Sequence, residues 1–189
     1  LELSSAWASD TTRTDAISLQ DGIYVKTGAT TRRYLGTFRT TSTTTTEDSE
    51  ASRLVWNYQN RQNRRLKKSD ATLSWSYISA AWRAANNSTA NRVGVVVGVA
   101  GAMVQLSHKV YVSASTAGSN YIGICEDCTN SATGFYSISA VAAAITTGPN
   151  NTYYPAIGYH FYQMTELGCN AGVVNWFGGV GGLAGFIDG

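Results

Sequence analysis

Few side chains in this chain of 189 residues could bind a metal through sulfur or imidazole, since it has three cysteines and two histidines. Cys125 and Cys128 have the spacing of a metal-binding pair, but no second pair of this kind is present. Neither His108 nor His160 has a nearby histidine that would complete a zinc site. The spacing therefore predicts a hairpin turn with either two free thiols or a tight local disulfide, and we expect no metal and no cofactor. Cys169 is interpreted as a small buried hydrophobic residue.

Candidates for catalysis are equally few. His108 lies within a predicted strand and His160 lies between two aromatic residues, which is typical of packed or hydrogen-bonded histidines, and no GxSxG turn accompanies either. A glycosidase needs two carboxylates on opposite sides of a cleft. The sequence pairs no two of its candidate carboxylates, which are Asp70, Glu126, Asp127, Glu166 and Asp188. The sequence therefore predicts a protein that is not an enzyme and has no catalytic residues.

Two tyrosines are candidate binding residues. Tyr153 and Tyr154 fall in a predicted polar loop from Asn150 to Pro155, where exposed rings can stack on a sugar or on another subunit. The alternative is that aromatic side chains in this last quarter of the chain are structural. Alternate residues of Ile157–Glu166 would then fill the core, and the residues between them would contact a neighbouring chain.

Three arginines are the other candidate binding residues. Arg61, Arg64 and Arg65 belong to a run of five cations that ends at Lys68. The run indicates either contact with an anionic surface, such as lipopolysaccharide or teichoic acid, or a solvated hairpin that keeps an edge strand from aggregating.

The composition indicates which elements must position these side chains. Only 14% of the residues are charged, against roughly 25% in an average soluble domain. Thr, Ser, Asn and Gly take their place, which favours strands and turns over helices. The net charge of +2 is too small for a typical nucleic-acid-binding domain. No apolar stretch reaches the roughly 18 residues of a membrane span, so we expect neither nucleic-acid binding nor membrane insertion.

About ten short strands separated by turn residues predict an all-β fold, an antiparallel β-sandwich resembling a jelly roll. One short helical turn at most is expected, near Glu47–Ala51. Gly178–Gly182 lacks the Lys-Thr pair of a phosphate-binding loop and is predicted to be a tight turn before the last strand. The predicted strands include Arg33–Thr40, Leu54–Tyr58, Leu73–Ile78, Arg92–Ala100, Val104–Ser113, Tyr121–Cys125, Gly134–Ser139, Ala142–Thr147, Ile157–Glu166, Val173–Phe177 and Leu183–Ile187.

Several motifs resemble a family of virion structural proteins of tailed bacteriophages, associated with tail fibres. The motifs are Gln20–Lys26 (QDGIYVK), Thr31–Thr41 (TRRYLGTFRTT), Glu47–Ser49, Arg53–Tyr58 (RLVWNY), Ser74–Tyr77, Ala81–Asn86 and the ending Gly182–Gly189. The resemblance is strongest over residues 1–100. It implies no catalytic residues. It also implies that residues 1–189, taken as a single β-sandwich domain, are the C-terminal part of a longer polypeptide.

The segment around Gly36 has a physical interpretation of its own. Alternation over Arg33–Thr40 places Tyr34 and Gly36 on one face, and the missing side chain of Gly36 leaves room for a ring such as Trp56 or Trp75. The nearby arginines Arg32, Arg33 and Arg53 are expected to pair with Glu47, Asp48 or Glu50.

The resemblance and the composition together predict a structural protein of the virion. The first hypothesis is a domain of a tail fibre or fibre tip, a homo-oligomer and most simply a trimer, that binds other virion proteins and a glycan of the host surface. The second is a head decoration or capsid-associated protein. The third, from a different class, is a polysaccharide depolymerase, which would require a pair of catalytic carboxylates.

Overall fold

A computed structural model describes residues 2–116, 118–139 and 142–189. Within these ranges the chain forms sixteen β-strands and one 3-10 turn, Ala85–Asn87. The strands are β1 (Ile17–Gln20), β2 (Ile23–Lys26), β3 (Ala29–Arg33), β4 (Gly36–Phe38), β5 (Ser52–Arg53), β6 (Val55–Asn57), β7 (Asn63–Lys68), β8 (Trp75–Ser76), β9 (Arg83–Ala84), β10 (Arg92–Val97), β11 (Val104–Ala114), β12 (Ser119–Glu126), β13 (Gly134–Ser139), β14 (Ala142–Tyr153), β15 (Gly158–Leu167) and β16 (Val174–Asp188).

Eight of these strands form two packed sheets with the jelly-roll strand order. One sheet contains β7, β16, β11 and β14 in that order, and the other contains β10, β15, β12 and β13. If the eight strands are numbered 1 to 8 along the chain, the sheet with β7 has the order 1-8-3-6 and the sheet with β10 has the order 2-7-4-5. All six pairings between neighbours are antiparallel. The predicted all-β, jelly-roll-like sandwich is confirmed.

The space between the sheets is filled by the inward-facing side chains of their strands, and β11 shows this most regularly. On β11, alternate positions from Val104 to Ala114 are buried, which is the pattern of a strand with one face in the core. Trp75 packs against the buried clusters at both ends of this interior. The largest fully buried side chains include Leu66, Leu106, Ile122, Ile124, Tyr162, Trp176, Leu183 and Ile187.

The N-terminal segment, residues 2–58, forms two small sheets, β1–β2–β3 and β4–β6. Its short strand β5 belongs to neither, because it pairs in parallel with β10. Asp21 and Gly22 both have positive φ and link β1 to β2 as the two-residue hairpin turn that Asp-Gly favours. The segment packs on the sandwich through Tyr34 and Trp56, which form a buried cluster with Val96 and Val99.

The strand predicted over Arg33–Thr40 is split, and its predicted alternation is wrong. β3 ends at Arg33 and β4 begins at Gly36, so Tyr34 and Thr37 are both buried. Gly36 lies against the backbone carbonyl of Trp56 rather than against a ring, because it belongs to the β4–β6 pair.

An aromatic ring does lie close to Gly98, which directly follows β10. A Cβ atom there would overlap the hydroxyl of Tyr34 and the ring of Trp56. The missing side chain therefore lets the aromatic cluster of the N-terminal segment lie directly on the sandwich.

Two further expectations are corrected. Glu47–Ala51 is not helical, and the 3-10 turn lies instead at Ala85–Asn87. β16 is one strand rather than two, because Gly178–Gly182 forms a bulge within it: Lys109 of β11 pairs with Gly182, and Tyr111 pairs with Phe177. In the described part of the chain, no helix is long and apolar enough to cross a membrane.

Candidate functional site

The expectation that Tyr153 is exposed is wrong. It is the last residue of β14, only 8% of its surface is accessible, and its ring packs on Tyr162 at 4.8 Å between centroids. Its hydroxyl accepts a hydrogen bond from Asn151 Nδ2 at 3.0 Å. Burial raises the pKa of this hydroxyl above its usual value. Tyr153 is therefore a core residue with a satisfied polar end, and it cannot stack on a sugar. Tyr154, by contrast, is 70% exposed.

The three arginines lie on or next to β7, an edge strand of the sandwich. Arg61 pairs with Asp188 at 2.7 Å, Arg64 pairs with Asp48, and Arg65 pairs with Glu50 at 3.4 Å. Every one of these arginines thus has a carboxylate partner within the protein. This arrangement supports the interpretation of a protected edge strand over that of an anion-binding surface.

The register separates the arginines from the tyrosines. Arg64 pairs with Ile187, Ile187 with Val104, and Val104 with Tyr153, so they share one row across the sheet. Arg64 and Tyr153 lie on its opposite edges, about 14 Å apart at the usual strand spacing. The structure therefore does not bring the predicted binding residues together in one site.

Within the ranges that the structure describes, one carboxylate is buried between the sheets, that of Glu166, and it belongs to an ion pair. Glu166 is 1% exposed and accepts hydrogen bonds from Arg83 Nε at 2.8 Å, from Trp75 Nε1 at 2.8 Å and from the backbone N–H of Asn86 at 3.2 Å. Burial raises the pKa of Glu166, although Trp75 and Arg83 act in the opposite direction. The nearby cavity, which Asp70 also lines, has a volume of about 10 Å³. It has room for about one water molecule but not for a sugar.

The two histidines are also held within the protein. His108 is 2% exposed, and its Nδ1–H donates to the carbonyl of Gly123 across the sandwich at 3.0 Å. Burial lowers the pKa of His108 from 6.5 to about 4. His160 Nδ1 lies 2.7 Å from a carboxylate oxygen of Asp127, and its Nε2 lies 3.1 Å from the carbonyl of Ala156. Both nitrogens of His160 therefore face an oxygen atom of the protein.

The cysteine pair forms a disulfide, which is one of the two predicted alternatives. Cys125 at the end of β12 is bonded to Cys128, with 5.3 Å between their Cα atoms. Cys169 is free and partly buried, and it packs against the core. Among the described residues, no group of three or more His, Cys, Asp or Glu is placed to hold a metal ion.

The candidate site with room for a ligand is a groove between the N-terminal segment and the end of β10, and we call it the Arg13 groove. Its volume is about 410 Å³, within the range of about 300–1,000 Å³ usual for small-molecule sites. One wall carries the polar side chains of Thr11, Thr12 and Arg13. The lining also includes Ala16, Ile17, Tyr24, Gly98, Val99, Ala100 and Ile157.

Arg13 is the charged residue of this lining, and the protein contacts only part of its guanidinium. Its Nη2 donates to the hydroxyls of Tyr34 and Thr37, both at 3.0 Å, and to the carbonyl of Gly98. The guanidinium carbon lies 4.9 Å from the ring centre of Trp7 and 4.6 Å from that of Tyr34. Its Nε–H is buried and has no hydrogen-bond partner within the described ranges. All of these partners are neutral.

Sequence reasoning missed the Arg13 groove. Arg13 lies in a polar stretch without regular alternation, and its partners Tyr34 and Gly98 are distant in the sequence. No local pattern brings them together, so the available signal was only an arginine flanked by threonines.

Comparison with known proteins assigns no family. No protein-family model matches the chain, and a search of curated proteins found no significant match.

Proposed function

We propose that this chain is a structural domain of a tailed-bacteriophage virion, located in a tail fibre or fibre tip, that contacts a glycan on the host surface through the Arg13 groove. The observation that carries the proposal is the jelly-roll order of the eight sandwich strands. Viral capsid domains and lectin domains share this architecture. Because one fold serves many functions, the site must supply the rest of the argument.

The groove fits binding better than turnover. Its lining contains threonines, one arginine, one tyrosine and aliphatic residues, and none of the lining residues is a carboxylic acid. Glycoside hydrolysis needs two carboxylates facing the bond that is cleaved. The buried Glu166 is instead paired with Arg83, beside a cavity too small for a sugar. These features support a contact role and give no support to the depolymerase hypothesis.

The resemblance to tail-fibre-associated proteins falls on the residues that close the groove. The motif QDGIYVK contains Tyr24, and the motif TRRYLGTFRTT contains Tyr34 and Thr37, two of the three hydrogen-bond partners of Arg13. The resembling part of the chain thus builds the N-terminal segment and its contact with the sandwich. This overlap supports the proposal that the groove belongs to the part of the chain that resembles tail-fibre-associated proteins.

Other virion proteins and further copies of this chain are the proposed partners. Fibre domains need lateral contacts, and exposed apolar side chains such as Phe135 at 61% and Val180 at 65% are available for them. A homotrimer is the proposed state, and mass measurement of the native protein tests it.

Immunogold labelling of purified virions with antibodies against this chain tests the proposed location. Label at the fibre tips, together with antibody inhibition of adsorption to host cells, would support the proposal. Label distributed over the head would favour a capsid-decoration protein, which the jelly-roll fold also suits. Particles without label would overturn both hypotheses.

A further inference from the structure

We propose that the Arg13 groove binds a sugar that carries a carboxylate, and that the guanidinium of Arg13 pairs with this carboxylate. The inference rests on the proposed function, because it specifies the chemical class of the glycan that the virion domain contacts.

The first argument is the missing counter-charge. Asp10 and Asp15 flank Arg13 in the sequence, but Asp10 pairs with Arg39 at 3.2 Å and Asp15 pairs with Lys26 at 2.9 Å. Among the described residues, no carboxylate forms an ion pair with Arg13. A partly buried cation with neutral partners alone is stabilised when an anion joins it.

The second argument is the unused hydrogen-bonding capacity of the guanidinium. All three contacts to protein oxygen atoms use Nη2, so Nη1 has no protein partner among them. The Nε–H also has no partner among the described residues, but it is buried, so Nη1 is the donor left for a ligand. Carboxylates and guanidinium groups form strong charge-assisted hydrogen bonds. Contacts with Tyr34, Thr37, Gly98 and Trp7 also fix the guanidinium, so little conformational entropy remains to be lost on binding.

The third argument is the mixed polarity of the lining, which suits a sugar ring more than a small inorganic anion. The hydroxyls of Thr11 and Thr12 can exchange hydrogen bonds with sugar hydroxyls, while Ile17, Val99 and the ring of Tyr24 offer apolar surface to the C–H face. Inorganic phosphate would use the arginine but leave this apolar surface unfilled. A uronic acid uses both.

Titration of the protein with a matched pair of sugars tests the proposal. Glucuronate and glucose differ at one carbon, and chemical-shift changes of the intact chain report their binding. One added charge-assisted hydrogen-bonded contact is worth about 1.5 kcal/mol, so we expect glucuronate to bind roughly tenfold more tightly than glucose. Raising the salt concentration from about 0.05 M to about 0.5 M should reduce this preference, since salt screens exposed charges.

Two variants locate the effect. Arg13→Gln should abolish the preference for glucuronate. Because Arg13 also holds the N-terminal segment, a second variant leaves it untouched: Ala100→Trp fills the groove from its exposed rim and should abolish binding of both sugars. Leu73→Trp is the matched control, since Leu73 is exposed and is not part of the groove lining. It should bind glucuronate as the unmodified chain does.

Several results would overturn the inference. They are equal affinity for glucuronate and glucose, a preference that survives in Arg13→Gln, unchanged binding in Ala100→Trp, or inorganic phosphate binding as tightly as glucuronate. The labelling of virions uses no sugar, so the two proposals fail separately. Labelled fibre tips without a glucuronate preference remove only the acidic-sugar inference. A glucuronate preference in a chain absent from the particles removes only the virion function.

Discussion

His108 places an ionisable group in the interior between the two sheets. Its Nδ1–H donates to Gly123 on the opposite sheet, so the neutral imidazole joins the two layers of the sandwich. Protonation would put a positive charge at a site with 2% exposure. The residue therefore couples the stability of the whole fold to pH.

We predict that the protein loses stability as the pH falls from about 6.5 to about 4. The pKa of His108 is about 4 in the folded protein and 6.5 without burial, so the unfolded state takes up the proton first. This contribution to the free energy of unfolding is complete above pH 6.5, the pKa in the unfolded state, and is lost as the pH falls to about 4, the pKa in the folded state. The total loss is about 3 kcal/mol. His108→Gln, whose amide can still donate to Gly123, should remove this part of the pH dependence.

Urea unfolding at several pH values between about 7 and 4.5 measures the effect. Glu166 titrates in the same interior, with the opposite sign: burial raises its pKa, so it favours the folded state on protonation. The comparison of His108→Gln with the unmodified chain cancels this contribution. Identical pH slopes for the two proteins would contradict the prediction.

Glu166 gives a second prediction at this scale. Its carboxylate neutralises Arg83, whose side chain is 26% exposed, and Glu166→Gln leaves this cation without a partner. We expect a loss of about 1–3 kcal/mol in the free energy of unfolding at pH 7, because the amide also turns an N–H group towards the donors of Trp75 or Arg83. Glu50→Gln is the control, because Glu50 and Arg65 are both exposed and such a pair is worth less than about 1 kcal/mol.

Tryptophan fluorescence during urea unfolding measures both variants. The double variant Glu166→Gln, Arg83→Met should recover part of the loss, since it removes the unpaired charge. Equal stabilities of Glu166→Gln and Glu50→Gln would show that the buried pair contributes no more than a surface pair.

Among the elements, the N-terminal segment depends on contacts with the sandwich. Its two small sheets have only three and two strands, and Tyr34 and Trp56 bury their rings against Val96 and Val99 of the sandwich. The backbone N–H of Tyr159 on β15 donates to the carbonyl of Asp10 at 2.8 Å. The segment and the two large sheets therefore hold the Arg13 groove in shape together.

We predict that Gly98→Ala loosens this contact. The new methyl group would overlap Tyr34 and Trp56, and overpacking of this kind costs about 1–3 kcal/mol. The N-terminal segment should become more sensitive to proteolysis while the sandwich remains folded. Gly179→Ala is the control, because no atom lies within 4 Å of its added Cβ. Limited proteolysis with mass analysis distinguishes them, and equal cleavage of both variants would refute the prediction.

The edge strand β7 contains cations whose role the sequence alone left open. Arg64 and Leu66 share the inward side, and Leu66 is fully buried while Arg64 donates to the carbonyl of Val55 at 2.8 Å. A charge that points inward at an edge discourages pairing with another chain. This placement supports a protective role for the cation run, although the residue types alone could equally indicate a binding surface.

At the scale of the whole molecule, the architecture could be predicted from the sequence, but the candidate site could not. Alternation and turn residues revealed most strands of the sandwich, and β13 matches its predicted bounds, Gly134–Ser139. Adjacent tyrosines gave no sign of which one faces the core, so Tyr153 was misplaced. The Arg13 groove arises from contacts between distant parts of the chain, and local patterns carry no information about them.

The jelly-roll order also sets how the chain must fold. β7 pairs with β16, more than 100 residues later, and Lys68 lies beside Leu183. Such long loops must close before the contacts that offset the lost entropy can form. Folding is therefore slow, in the range of milliseconds to seconds for β proteins of this type. On the ribosome, Leu66 would remain uncovered until β16 emerges. Many copies made together would then expose this strand to one another, so we expect aggregation during synthesis to limit the yield of folded protein.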